Sequence, residues 1–292
     1  MSNTIWLEPN PNNGLGKQVS EIGRIIEKGK TCSTDIIVDF KNIDFVQPTT
    51  ILCVSSLLTS FNTIGKNCSI ANLSEDANSY FKAVIFPGGI FPDLDPDWIQ
   101  KLESYKNKNY LPIISFPTDR SPNSVFIRNS VLSKLNELLA FKLGYTMAQI
   151  GPVSYFISEF TDNIVEHAGV NRAKILVQYF PGMEFIEICI VDEGKTILGA
   201  YQETKKYFPI SDKEAITFAL AGKSTKSAER GYGIPSSSNL IINGLKGSLC
   251  VVSGKGMLAN TIITSYISDW RGTLLSVKIP KSFDKIDMHQ YI

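Results

Sequence analysis

The chain has 292 residues, of which 43% are hydrophobic, and a formal net charge of +1. This length and apolar content suffice to bury two ordinary cores, so two domains are the natural division. A nearly neutral chain offers no basic stripe of the kind that binding to a phosphate backbone requires, which argues against nucleic acid as the primary partner.

The cysteines and the first residues bear on the compartment. There are five cysteines and no C-x-x-C spacing, and Cys53 and Cys189 lie inside apolar runs as small hydrophobic residues. Residues 1–4 lack the pattern of a signal peptide, and the apolar run at 51–58 is too short to span a bilayer. The sequence therefore predicts a cytoplasmic protein with no membrane partner.

The first ninety residues alternate between the patterns of helices and strands. In chain order, the patterns predict a helix at 16–26, a strand at 35–40, a helix at 49–61, a strand at 68–71 and a helix at 76–85. Thr49 and Thr50 are the candidate N-caps of the second helix. The alternation predicts an α/β domain over residues 1–90.

The segment 36–46 and the hydroxyl-capped helix predicted after it resemble the STAS domain of anti-sigma-factor antagonists. In that family the strand leads into Asp-Ser-Ser-Gly, and a kinase phosphorylates one serine at the start of the helix. Here the matching residues are Gln47-Pro48-Thr49-Thr50, with Pro48 at the position of that serine. Thr49 is then either a substitute phosphoacceptor or only a helix N-cap.

Proline, glycine and aspartate dominate residues 86–97, which predicts a turn-rich connector. We place the connector at 91–109 and the second domain at 110–292. In that domain the patterns predict a strand at 110–116, a helix at 125–143, a hairpin of 173–180 with 185–191 through Pro181-Gly182, and a hairpin of 248–253 with 261–265 through 254–256. These elements predict an α/β sandwich of a mixed sheet covered by helices on one face.

A row of polar residues interrupts the apolar helix pattern at 155–167. Glu159 and Asn163 are four residues apart and project from one helix face, and Glu166 lies close to the same line. An amide oxygen suits Mg²⁺, and a neighbouring carboxylate can act as a general base toward a phosphoryl centre. Taken alone, the row also fits a solvated helix face with a side-chain hydrogen bond.

The apolar strand at 185–191 ends abruptly in Asp192-Glu193-Gly194. An aspartate at the mouth of a buried strand can accept a hydrogen bond from an exocyclic amine, and Gly194 lets a flat ring approach the backbone. The same three residues also fit an ordinary turn after a strand.

Glycines alternate with basic and hydroxyl residues from 222 to 233, just before a predicted helix. Backbone N–H groups in such a segment can cradle phosphates. The candidate ligands are Lys223, Ser224, Thr225, Arg230, Gly231, Tyr232 and Gly233. The alternative is an ordinary polar surface loop.

The order of these segments resembles that of the histidine-kinase-like ATPases, the GHKL or Bergerat-fold family, which includes bacterial anti-sigma-factor kinases. The resemblance covers roughly the carboxy-terminal half of the chain and implies ATP and magnesium as cofactors. It implies that Glu159 is the general base and that Asn163 is the magnesium ligand.

The same resemblance assigns the residues that hold the nucleotide. It implies that Asp192 reads the adenine amine and that Gly194 is the glycine of the first glycine box. The run Arg230-Gly231-Tyr232-Gly233 matches the second glycine box, which holds phosphates at one end of an ATP lid. Thr273, in the closing strand at 272–277, corresponds to the threonine that supports the aspartate.

Two positions qualify the resemblance. Thr196 stands where the first glycine box has its last glycine, and a β-branched residue resists positive φ angles. We therefore expect either a lid that hinges differently or a nucleotide that is held less mobile, and slow turnover. His167 ends the polar helix, where either a structural role near the helix terminus or a catalytic role fits.

Two classes of function therefore stay open. The first is an ATP- and magnesium-dependent regulatory enzyme, a serine/threonine kinase or slow ATPase similar to anti-sigma-factor kinases. The second is a non-catalytic switch in which ATP closes a lid and exposes a binding surface. Orthodox histidine kinase activity is disfavoured, since neither His167 nor His289 opens a dimerisation helix. The partners left open are a STAS-like or sigma-factor-like regulatory protein and a second copy of the chain in a homodimer.

Overall fold

The structure, a computed structural model, describes residues 4–8, 14–32, 35–43, 45–205, 207–223, 233–284 and 286–291. This part of the chain contains a three-stranded sheet and a five-stranded sheet, with helices packed on both, so the predicted α/β class is confirmed. Among the described residues, no helix combines the length and apolar character that a membrane crossing requires.

The amino-terminal part forms the three-stranded parallel sheet, in the order β1-β2-β3. Its elements are β1 (Thr4–Trp6), α1 (Leu15–Thr31), β2 (Ile36–Asp39), α2 (Pro48–Thr63), β3 (Cys68–Ala71) and α3 (Glu75–Ala83). Every helix and strand predicted in this part is present, although α1 runs five residues further than expected, to Thr31. β1 has no counterpart among the predictions, because three residues are too few for an alternating pattern to stand out.

The start of α2 differs from the prediction. Pro48 is the first helical residue, and the N-cap is Gln47, with φ −85° and ψ 154°. Proline favours this position because its fixed φ suits a helix and its missing N–H would have no partner there. Thr49 and Thr50 therefore lie inside the first turn, and the prediction that one of them caps the helix is wrong.

The carboxy-terminal part forms the five-stranded sheet, in the order β4-β5-β6-β8-β7. Its strands are β4 (Tyr110–Pro117), β5 (Arg172–Phe180), β6 (Phe185–Asp192), β7 (Ser248–Ala259) and β8 (Ile262–Pro280). All neighbouring strands of this sheet run antiparallel, so the prediction of a mixed sheet is wrong. Two hairpins join β5 to β6 and β7 to β8, and a short connection of this kind reverses the chain.

The second hairpin turns later than predicted. The chain reverses at Asn260-Thr261, where Asn260 has φ +53°, and not at residues 254–256. Gly254 has φ +57° and lies at a register irregularity inside β7. A glycine with positive φ marks a bulge within a strand as readily as it marks a turn, and here the bulge is the result.

The remaining helices are α4 (Trp98–Glu103), α5 (Pro122–Leu138), α6 (Met147–Asn163), α7 (Ile197–Thr204), α8 (Asp212–Leu220) and α9 (Gly233–Asn239). Short π-helical segments extend α5, α6 and α9 at Leu139–Leu143, Ile164–Ala168 and Leu240–Gly244. The predicted connector at 91–109 contains α4, and its Trp98 and Leu102 are buried in the core that α5 and α6 form with the sheet.

Helices cover both faces of the five-stranded sheet. On β6, the side chains of Ile188 and Ile190 join the core beneath α5 and α6, whereas Cys189 and Val191 join a second core with α1 and α2. A strand that is apolar on both sides needs cover on both sides. The prediction of helices on one face is therefore wrong, because the amino-terminal helices α1 and α2 cover the other face.

Candidate functional site

A cleft opens at the end of β6, between the π-helical extension of α6 and the helices α7 and α8. Its empty volume, including the part open to solvent, is about 920 Å³. The walls are mostly apolar, with Phe160, Ile164, Ile190, Ile197, Tyr201 and Leu275 among them. The polar lining side chains include Asn163, His167, Asp192, Lys195, Lys223 and Thr273. An apolar cleft with a few convergent polar groups is the usual form of a small-molecule site.

Asp192 is the last residue of β6, and the residue is 2% exposed. Its Oδ1 accepts a 2.9 Å hydrogen bond from the amide of Gly194, and Thr273 on β8 is its register partner. Burial raises the pKa of Asp192 from 3.8 to about 7, although the hydrogen bonds from the Gly194 and Thr273 amides lower it. A buried acid with a strongly raised pKa in a cleft is typical of a functional site.

Two glycines allow the backbone to close tightly around Asp192. Gly272 has φ +81°, and a Cβ there would lie 2.3 Å from the Asp192 carbonyl oxygen. A Cβ on Gly194 would lie 2.2 Å from the carbonyl oxygen of Ala168, which also accepts a 2.8 Å hydrogen bond from the amide of Lys195. The space beside Gly194 thus holds the end of the α6 extension, so backbone packing accounts for this glycine.

The polar row of α6 has the expected geometry for its first two members. Glu159 and Asn163 lie one turn apart, and both approach Gly233 at the start of α9. A Cβ on Gly233 would lie 3.2 Å from Oε2 of Glu159 and 3.5 Å from Nδ2 of Asn163. The structure therefore brings together three of the residues that the sequence analysis selected.

The third member of the row, Glu166, lies in a different helical geometry from the other two. The helix changes to π-helical geometry at Ile164–Ala168, and the wider turn rotates later side chains relative to an α-helix. His167 lines the cleft, and Oε2 of Glu166 lies 3.7 Å from its Nε2. The expectation that Glu166 lies close to the line of Glu159 and Asn163 stays a prediction.

Thr196 begins α7 as its N-cap. Its φ is −72°, and its hydroxyl accepts a 3.1 Å hydrogen bond from the amide of Gly199. A threonine is well suited to this position and meets no strain there, because the backbone is extended. The residue that departs from the glycine box thus starts a helix at the edge of the cleft.

The glycine-rich segment is described only at its ends. Lys223 lines the cleft, its Nζ lies 3.5 Å from the centroid of the Phe218 ring, and its carbonyl accepts a hydrogen bond from the Tyr201 hydroxyl. Gly233 begins α9. The other candidate phosphate ligands, Ser224, Thr225, Arg230, Gly231 and Tyr232, lie outside the described residues.

Ser253 is a site residue that the sequence analysis missed. It is fully buried on β7, accepts a 2.9 Å hydrogen bond from the Ile197 amide, and donates a 3.0 Å hydrogen bond to the Gly272 carbonyl. It thereby ties the start of α7 to β8 beside Thr273, whose Oγ1 is 3.3 Å away. The only signal in the sequence was a hydroxyl at the end of an apolar strand.

The side chains present would suit a magnesium ion that keeps most of its ligands from water and phosphate. In the part of the chain that the structure describes, no group of three or more His, Cys, Asp or Glu side chains is placed to hold a metal. Asn163, whose side chain carries one amide oxygen, lines the cleft. Mg²⁺ commonly binds through one or two protein oxygens together with substrate phosphates, so this donor set fits.

Comparison with models of known protein families gives no match, and comparison with curated proteins gives no significant match either. A function for this chain therefore has to be inferred from the geometry of the cleft and from the order of its polar segments.

Proposed function

We propose that the cleft binds ATP together with Mg²⁺ and that the chain is a regulatory protein of the histidine-kinase-like ATPase type. The position of Asp192 carries the proposal: a buried acid ends a strand at an apolar cleft, and α6 brings Asn163 to the same cleft. The order of the matching segments in the sequence and this geometry both support the assignment of a nucleotide site. In this proposal, the amino-terminal α/β part has a STAS-like fold and the carboxy-terminal α/β part has a Bergerat fold.

The adenine base would lie between the apolar walls beside Asp192. A carboxylate accepts a hydrogen bond from the exocyclic amine of adenine, whereas guanine presents a carbonyl oxygen at the corresponding position. Two acceptors facing each other in a buried site are costly, so the acid favours adenine over guanine. Thr273 supports Asp192 through its amide.

The phosphates would extend toward the start of α9, where Glu159 and Asn163 approach Gly233. Asn163 would hold the Mg²⁺ ion, which neutralises phosphate charge when bound. Lys223 also lines the cleft. The segment between Lys223 and Gly233 contains the other proposed phosphate ligands, Ser224, Thr225, Arg230, Gly231 and Tyr232.

Glu159 is the proposed general base. It would accept the proton of a serine or threonine hydroxyl during phosphoryl transfer, or of water during slow hydrolysis. The proposed partner in the first case is a STAS-like or sigma-factor-like regulatory protein in the cytoplasm. All five cysteines are free thiols, which suits a reducing compartment.

The second candidate function is a non-catalytic switch, and Thr196 is the observation that favours it. Thr196 is the N-cap of α7, and its backbone is extended. A helix therefore begins at the edge of the cleft, at the position where the family has a glycine. ATP would then bind without efficient turnover and change a surface that binds a partner or a second copy of the chain.

Calorimetry at pH 8, above the pKa of Asp192, tests the nucleotide site. Wild type is expected to bind ATP more tightly than GTP, and Asp192→Asn to lose about 1–3 kcal/mol of ATP binding free energy, the scale of one unsatisfied buried polar group. Equal affinities for ATP and GTP in the wild type would overturn the assignment. Incubation with radiolabelled ATP and Mg²⁺, with and without candidate partner proteins, then separates kinase from switch.

A further inference from the structure

Glu193 stands directly after Asp192 and points to the other side of the sheet. Asp192 faces the cleft, whereas Val191 and the Glu193 side chain face the amino-terminal helix α2. Alternation of side chains along a strand produces this division. The backbone that carries the proposed adenine ligand therefore lies between the cleft and α2.

Two serines of α2 hold both carboxylate oxygens of Glu193. Ser56 donates a 2.5 Å hydrogen bond to Oε1, and Ser60 donates a 2.7 Å hydrogen bond to Oε2. These residues are one turn apart on the helix, so their hydroxyls reach the carboxylate from the same face. Hydrogen bonds to a charged acceptor are shorter and stronger than neutral ones, and two of them fix the orientation of the carboxylate.

A lysine of β5 joins the same contact. Lys174 Nζ lies 3.0 Å from Oγ of Ser55 and 3.3 Å from Oγ1 of Thr59, both on α2. Burial lowers the pKa of Lys174, and the charge of Glu193 acts in the opposite direction. The end of β6 is thus attached to α2 through the acid Glu193, and β5 is attached to the same helix through the base Lys174.

The opposite end of α2 is attached to the same strand. Thr49 donates a 2.6 Å hydrogen bond to Glu187, which is six residues before Glu193 on β6. Six steps along an extended chain span about 20 Å, and the eleven steps from Thr49 to Ser60 span about 16 Å of helix. The helix therefore lies along β6 and is held at both ends, with the cleft-side end at Glu193.

We propose that Glu193 is a positioning residue for adenine recognition, and that α2, by holding Glu193, fixes the backbone from which Asp192 contacts the base. This proposal rests on the proposed function, because it needs a nucleotide in the cleft. The amino-terminal half is then a structural part of the nucleotide site. By linkage, a nucleotide that favours the fixed position of Asp192 also strengthens the docking of α2.

The double variant Ser56→Ala/Ser60→Ala tests the proposal by calorimetry with ATP and with inosine triphosphate, which carries a carbonyl oxygen in place of the adenine amine. The ratio of ATP to inosine triphosphate affinity is expected to fall by roughly three- to tenfold, the equivalent of about one hydrogen bond. The affinity for inosine triphosphate itself should stay within about twofold, because only recognition of the amine depends on Asp192.

Ser276→Ala is the matched control. Ser276 contacts Thr49 in the same buried layer, but it lies beside the far end of α2, away from Glu193. This control is expected to keep the wild-type ratio. Ser60→Ala alone, at a partly exposed position, repeats the test with a smaller disturbance of the fold. As a second readout, ATP should slow hydrogen exchange of the α2 amides around Ser56 in the wild type and not in Glu193→Ala.

The outcomes separate the two proposals. An unchanged ratio in both serine variants of a wild type that binds ATP overturns the role of Glu193 and leaves nucleotide binding in place. An equal loss for both nucleotides, or the same fall in Ser276→Ala, identifies a general weakening of the interface and also overturns it. A wild type that binds no ATP removes the nucleotide site and this inference together.

Discussion

Oε1 of Glu187 accepts a 2.6 Å hydrogen bond from the hydroxyl of Thr49, and both side chains are completely buried although 138 positions separate them. The Thr49 amide donates to the same oxygen at 3.0 Å, and the Ser276 hydroxyl lies 2.5 Å from that of Thr49. Lys278 Nζ approaches the other carboxylate oxygen at 3.4 Å. A kinase reaches the Thr49 hydroxyl only if α2 leaves the sheet.

Replacing Thr49 tests how much its hydrogen bond to Glu187 contributes to the stability of the protein. Thr49→Val is expected to lower the free energy of unfolding by about 2–3 kcal/mol, because it removes a buried hydrogen bond to a charged group while conserving shape. Urea unfolding gives the measurement. Thr49→Ser keeps the hydroxyl and should lose about 1 kcal/mol or less, the cost of one methyl group. Equal losses in the two variants would show that the hydroxyl contributes nothing.

The raised pKa of Asp192 predicts a pH-dependent stability. The folded state binds this proton more tightly than the unfolded chain, with a pKa of about 7 against 3.8. The resulting stabilisation is fully present below about pH 4 and is lost as the pH rises through about 7, at up to about 1.4 kcal/mol per pH unit. Unfolding of wild type and Asp192→Asn should be compared from pH 4.5 to 8.5. The wild type should lose stability relative to the variant up to about pH 7, and parallel curves would refute the raised pKa.

Two glycines near the cleft are expected to respond in opposite ways to substitution by alanine. Gly194→Ala places a Cβ against the Ala168 carbonyl oxygen and is expected to cost about 3 kcal/mol or more, because backbone cannot move aside cheaply. Gly199→Ala lies in α7, where a Cβ meets Lys195 at an ordinary 3.5 Å. It should stabilise the protein by about 0.5–1 kcal/mol through helix propensity. Thermal unfolding distinguishes the two, and similar shifts would contradict the close packing of Gly194.

Asn163→Ala tests the metal assignment. The variant is expected to lose most of the gain in ATP affinity that Mg²⁺ gives to the wild type, because it removes the amide oxygen that the protein offers the ion. Binding of adenosine, which has no phosphates to share a metal, should not change. Calorimetry with and without Mg²⁺ provides both comparisons. A variant with the same magnesium dependence as the wild type would exclude Asn163 as a ligand.

Glu159→Gln decides between enzyme and switch. A general base acts in the chemical step, so ATP affinity should stay within a few-fold while hydrolysis or phosphotransfer falls by roughly 10²–10⁴-fold. Phosphate release and transfer of label to partner proteins are the measurements. If the wild type turns over no ATP with any candidate partner, yet ATP protects the cleft from proteolysis, the protein is a switch and not an enzyme.

Local patterns predicted most of the elements and part of the site. The hairpin of β5 and β6 was predicted to within a residue at each end, since Pro181-Gly182 separates two long apolar runs. Glu159 and Asn163 share a face because α-helical spacing holds up to Asn163. His167 lies near the end of the helical extension, as expected, whereas the change to π-helical geometry at Ile164 was not predicted.

Contacts between distant parts of the chain were beyond the reach of local patterns. The partners of Glu193 are hydroxyls on a helix 133 and 137 residues away, and nothing near Glu193 indicates them. Glu187 looked like one polar residue in an apolar strand, although it is the buried acceptor that anchors α2. Such pairs depend on how two α/β parts pack together, which periodicity does not report.

The second core also determines when α1 and α2 can pack during synthesis of the chain. The apolar faces of α1 and α2 pack against β6, β7 and β8, and α1 is joined to β8 where the Tyr266 hydroxyl donates a 2.7 Å hydrogen bond to the Val19 carbonyl. Translation delivers these helices long before β8 leaves the ribosome, at about 5–20 residues per second. Val19 therefore meets its partner only after 247 further residues have been synthesised, and we expect this protein to depend on chaperones during that interval.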